Sequence, residues 1–156
     1  MKTVKEFMNE DVVYVSPDDT IFDTAKLLSQ LNIAGAPVVQ KEKIVGVISI
    51  SDIIKFIDIK LGALPKINTP GLSSLLLALV QMQKIHMDFK KELEKITKFK
   101  VREVMSKNVV TISPEMTLLE LAELMEKHDF NRFPVVDNGK LVGIVARADL
   151  IKALIY

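Results

Sequence analysis

The sequence predicts an α/β (α+β) protein made of two related repeats, each ordered strand, helix, strand, strand, helix, with a helical insert between them. Three observations carry this. First, shifting the 156-residue chain by 97 positions lays "MNEDVVYVSPDDT…APVVQKEKIVGVISISDIIK" on "MSKNVVTISPEMT…FPVVDNGKLVGIVARADLIK" without a gap. Second, within each copy the apolar pattern switches from short β-branched runs to helical spacing and back. Third, the middle of the chain matches neither copy. The expected organisation is therefore repeat 1 at 1–60, an insert at 61–100 and repeat 2 at 101–156. A unit of this size buries little surface alone, so two copies are expected to pack about a pseudo-twofold axis.

The elements follow in order. Val12–Val15 and Val109–Ile112 read as short strands, each closed by Ser-Pro, because proline has no N–H with which to continue a ladder. Helices are expected over about 19–31 and 116–128; in the second, Leu118, Leu121, Leu124 and Met125 recur at helical spacing. "APVVQ" and "FPVVD" are strands, and "KIVGVIS" and "KLVGIVA" return antiparallel to them. Asn138-Gly139 accepts the positive φ of a tight hairpin turn, and "KEK" at 41–43 does the same job less typically. A last helix begins near Asp52 and near Asp149. Gly46 and Gly143 are expected where backbones approach closely, and Met8 and Met105 as packing residues.

Composition narrows the function classes. The chain is 49% hydrophobic and 26% charged, with a net charge of +1 and no cysteine. A globular domain without a strong pull toward nucleic acid or membrane is expected. Disulfides and thiol chemistry are excluded, and a cytoplasmic location is favoured. The first residues lack the apolar run of a signal peptide. No nucleophile elbow, P-loop or dinucleotide fingerprint is present, so the expectation is a protein that is not an enzyme. His86 and His128 stand apart without clustered acids, so no metal site is expected.

The strand–Ser-Pro–helix–"PVV"–hairpin–"G-h-h-S/T-x-x-D" pattern, over residues 4–57 and 101–154, resembles the CBS domain, and the tandem pair resembles a Bateman module. That resemblance implies a regulatory module that binds an adenosine-containing ligand (AMP, ADP, ATP or S-adenosylmethionine) in crevices between the repeats, with no further cofactor. It also implies hybrid sites. Site one would take Ser49 and Asp52 from repeat 1, with Asn108, Val109, Val110 and the segment Phe130, Asn131, Arg132, Phe133, Pro134 from repeat 2. Site two would take Ala146, Arg147 and Asp149 from repeat 2, with Asp11, Val12, Val13 and Ile33, Ala34, Gly35, Ala36, Pro37 from repeat 1.

These residue types suit the chemistry. A carboxylate offers only acceptors and can take both hydroxyls of a ribose, and valine strands give adenine an apolar slot. Ser49, before a helix start, and Arg132 offer donors to phosphate. Site one then holds a hydroxyl that site two lacks at Ala146, and is expected to bind phosphate better. Other readings stand beside these. Ser51, Asp52 and Asp149 also fit helix N-caps, and Arg132 and Arg147 also fit solvated surface charges.

The insert turns helical from Leu72 to about Lys98, with Leu75, Leu79, Met82, Ile85 or His86, Phe89, Leu93 and Ile96 on one stripe. It reads either as a cover for the core or as a homodimer interface. The competing function is a ligand-free dimerisation scaffold acting through this helix. An unidentified protein partner is expected for the regulatory reading.

Overall fold

The computed structural model describes residues 1–61 and 87–156. Most of the insert's stripe, from Leu75 to Ile85, lies outside the described residues. The helices are α1 (Ile21–Gln30), α2 (Ile50–Leu61), α3 (Met87–Thr97), α4 (Leu118–Lys127) and α5 (Arg147–Ile155). The strands are β1 (Gly35–Gln40), β2 (Lys43–Ser49), β3 (Arg132–Asp137) and β4 (Lys140–Ala146), paired as two hairpins, β1 with β2 and β3 with β4. Single 3-10 turns at Val4–Glu6 and Val101–Glu103 open the two repeats.

Both hairpins turn as the sequence predicts. Asn138 (φ 49°) and Gly139 (φ 80°) have positive φ, and so do Lys41 (φ 50°) and Glu42 (φ 67°). The first predicted strand of each repeat is shorter than expected. Val15 and Ile112 each form one parallel bridge, to Val38 and Val135. Ile112 N–H donates to Pro134 O at 3.0 Å and Ile112 O accepts from Val136 N–H at 2.9 Å. The next donors of such a ladder would be Pro134 and Pro114, which have no N–H, so the pairing stops on both sides. Pro37 limits the Val15 bridge in the same way.

The chain forms two compact units, and neither is a single repeat. One contains 1–15, 37–47 and 106–156; the other contains 16–36 and 48–105. In the first, Val4, Ile112, Leu121, Met125, Phe133, Val135, Val145 and Leu150 form a buried cluster, with Phe7 and Met8 packed on it. The opening turn of repeat 1 thus sits in the core of repeat 2. Val4 N–H donates to Met116 O at 2.8 Å, and Leu118 N–H to Lys2 O at 3.0 Å. Gly143 allows this approach, since a Cβ there would lie 2.7 Å from Met8 Sδ and 3.2 Å from Asn9 O. The second unit repeats the arrangement with the opposite turn. Val101 is fully buried, its N–H donates to Asp19 O at 2.8 Å, and Ile21 N–H donates to Phe99 O at 2.8 Å. Ile96, the end of the insert's predicted stripe, is buried there too.

Candidate functional site

Each repeat turns from its last strand directly into its last helix. Ser49 ends β2, and α2 starts at Ile50. Ser49 Oγ accepts from Asp52 N–H at 3.1 Å, and Asp52 Oδ2 accepts from Ser49 N–H at 3.0 Å. This reciprocal pair satisfies two helix-end donors at once. In repeat 2, Ala146 N–H donates to Asp149 Oδ2 at 2.8 Å, and alanine returns nothing. The capping residues are therefore Ser49 and Ala146, with each aspartate as the third helical residue; Ser51 is already inside α2. Capping and ligand binding do not exclude each other here. Each aspartate is half-buried and uses one oxygen on the backbone. Among the described residues the other oxygen takes no hydrogen bond and keeps its lone pairs.

The segments before Pro37 and Pro134 lie beside the aspartate turn of their own repeat. Arg132 pairs with Ala146 across the β3–β4 ladder, and Arg147 N–H donates to Asn131 O at 3.1 Å. Likewise, Ile50 N–H donates to Ala34 O at 2.9 Å, and a Cβ on Gly35 would lie 2.8 Å from Ile48 O and 3.3 Å from Ser49 Cα. The sequence reading divided these neighbours between two sites. The β3–β4 register and the bonds of Arg147 set Phe130, Asn131 and Arg132 beside Ala146 and Arg147, and the Ile50–Ala34 bond sets Ala34 and Gly35 beside Ser49.

The two arginines differ. Arg147 Nε donates to Phe130 O at 3.2 Å and its Nη2 to Met125 O at 3.2 Å, with Asp129 Oδ1 at 3.9 Å. Its fork holds the carbonyls at the end of α4, where positive charge is favoured. Arg132 is exposed and, among the described residues, makes no side-chain hydrogen bond or ion pair. Phe130 is 43% exposed and stacks on His128 with centroids 5.8 Å apart and planes at 9°.

The first-strand segments are held alike. Asp11 N–H donates to Asn9 Oδ1 at 3.0 Å, and Asn108 N–H to Ser106 Oγ at 3.3 Å. Val12, Val13, Val109 and Val110 are half-buried. Asp11–Val13 belong to the same compact unit as Arg132, Ala146 and Asp149. Sequence reasoning missed Lys2 and Lys152, which line a cleft of about 260 Å3 with Phe7, Asp149 and Tyr156. Lys152 could have been found one helical turn after Asp149. Lys2 arrives only through the opening turn's placement and has no local signal.

A family profile, that of the CBS domain, matches residues 4–59 and 101–156. A protein from Methanocaldococcus jannaschii, MJ1426, is 41% identical over 97% of this chain and 90% of its own length. The CBS domain-containing protein YhcV of Bacillus subtilis is 31% identical over 96% of this chain and 84% of its own. Among solved structures, CBSX2 in complex with AMP matches with a TM-score of 0.68 and 26% identity, covering 99% of this chain and 97% of that one. Among the described residues no helix is long and apolar enough to cross a membrane.

Proposed function

The chain belongs to the CBS-domain family as a tandem pair, and on that basis we propose that it is a regulatory module sensing an adenosine nucleotide, AMP first among them. The observation that carries this is the likeness, over nearly the whole length of both chains, to a protein solved with AMP. In this reading the free oxygen of Asp149 accepts from a ribose hydroxyl. Half-buried Val12 and Val13 contribute an apolar wall for the base. Arg132, exposed and without a protein partner among the described residues, takes the phosphate. Ser49, Asp52 and Gly35 build the second crevice, which has a hydroxyl but no arginine at the matching position. The arginine therefore makes the Asp149 crevice the better phosphate binder. A bound nucleotide acts on a partner only through its differential affinity for two conformations of the module.

Calorimetric titration with AMP and adenosine tests the assignment. Arg132→Ala should weaken AMP by about ten- to 150-fold, the loss of one charge-assisted hydrogen bond, and leave adenosine nearly unaffected. Equal loss of both ligands removes Arg132 from the phosphate site. If AMP, ADP, ATP and S-adenosylmethionine at millimolar concentration all leave the melting temperature unchanged, the protein is a ligand-free scaffold.

A further inference from the structure

We propose that the run from Lys95 to Arg102 is a docking surface for an acidic segment of a partner protein. Lys95, Lys98, Lys100 and Arg102 place four cations and no acid within eight residues of a chain whose net charge is only +1. They line a cleft of about 590 Å3 with Phe99, Asp18 and Glu103. Asp18 is already paired with Arg102 and lies 3.9 Å from Lys100. Lys95 is 73% exposed and, among the described residues, pairs only with Glu92 at 3.4 Å. Lys98 is exposed and makes no ion pair among the described residues.

The backbone under these charges is rigidly held. Ile21 N–H donates to Phe99 O, Val101 N–H to Asp19 O, and Arg102 N–H to Pro17 O, all within 3.0 Å. Val101 between the cations points into the core, so Lys98, Lys100 and Arg102 are displayed together.

The molecule carries its own control. The opening turn of repeat 1 does the same structural work. Val4 is buried like Val101, and Glu6 accepts from Thr3 N–H as Glu103 accepts from Lys100 N–H. Yet Met1 and Thr3 stand where Lys98 and Lys100 stand. The fold does not need those two cations. A protein segment fits the surface better than a nucleic acid. Phe99 packs edge-on to Phe56 at 5.1 Å, and Lys60 lies over its ring at 5.1 Å. That leaves it a poor platform for base stacking.

Fluorescence anisotropy at low and physiological salt tests this with labelled octaglutamate, octaglutamine and a twelve-residue oligothymidylate. Octaglutamate should bind, more weakly as salt rises, and octaglutamine should not. Lys95→Glu with Lys98→Glu should weaken octaglutamate on the order of tenfold. Lys26→Glu with Lys127→Glu, both exposed, gives the same net charge and should leave binding within about twofold of wild type. Equal loss in both double variants, undiminished binding in the first, tighter binding of the oligonucleotide, or no binding at all overturns the proposal. Nucleotide is absent throughout, so the outcome is independent of the sensing function.

Discussion

The two repeats cap the same helices with different completeness. At the last helix, repeat 1 closes two hydrogen bonds between Ser49 and Asp52, and repeat 2 closes one from Ala146 to Asp149. At the first helix the balance is reversed. Thr117 and Glu120 exchange bonds in both directions, Glu120 N–H to Thr117 Oγ1 at 3.3 Å and Thr117 N–H to Glu120 Oε2 at 2.8 Å. Asp23 N–H donates to Thr20 Oγ1 at 3.1 Å, and among the described residues the aspartate returns nothing to Thr20 N–H. One bond per turn suffices for the fold, and the second is free to vary between copies. A carboxylate kept at both turns where a hydroxyl is kept at one is thus accounted for by capping alone.

Exchanging what differs between the copies tests this, and the core gives the largest effect. Phe133 is fully buried, and its counterpart in repeat 1 is Ala36, also buried. Phe133→Ala should cost about 3–5 kcal/mol in urea unfolding. Ala36→Phe should cost about 1–3 kcal/mol by overpacking. A small loss in both would mean that the copies' cores are interchangeable.

The caps should respond less. Ser49→Ala should lower stability by about 1 kcal/mol. Ala146→Ser should raise it by up to about 1 kcal/mol by completing the reciprocal pair. Thermal melts of both variants decide; a destabilising Ala146→Ser would show that alanine is kept there for room rather than for want of a cap.

The smallest effect is on acid sensitivity. Glu6 and Glu120 are held below the ordinary carboxylate range, mainly by the backbone N–H of Thr3 and of Thr117. Carboxylates with a lowered folded value contribute stability that is fully present at neutral pH. It is lost as pH falls through the ordinary carboxylate range to the folded value. Glu6→Gln and Glu120→Gln should therefore shrink the fall in melting temperature between neutral pH and mild acid. An unchanged acid limb would place its cause in other carboxylates.

Much of this architecture is legible in the sequence, because duplication writes each signal twice. The helices show in the spacing of Leu118, Leu121 and Met125, and the second hairpin in Asn138-Gly139. What escapes has no periodicity to betray it. Val4 lies in a three-residue turn, and nothing around it names Met116 as its partner. The shortness of the first strands follows from Pro37 and Pro134, yet only once Val15 and Ile112 are known to pair with those strands. The pairing of Arg132 with Ala146 is a matter of register. The resemblance names residue types for the candidate site, while the ladder decides which of them are neighbours.

The placement of Val4 and Val101 bears on how such a chain can be divided. A cut in the insert would separate the copies along the line of their duplication, yet each fragment would carry off the plug of the other's core. Alone, the 101–156 piece would keep a hole where Val4 belongs, and the 1–60 piece one where Val101 belongs. The unit that was copied and the unit that folds do not coincide: the opening turn and residues 37–47 of repeat 1 belong with the core of repeat 2. Since that exchange arose, recombination could move the pair as a whole more readily than either half.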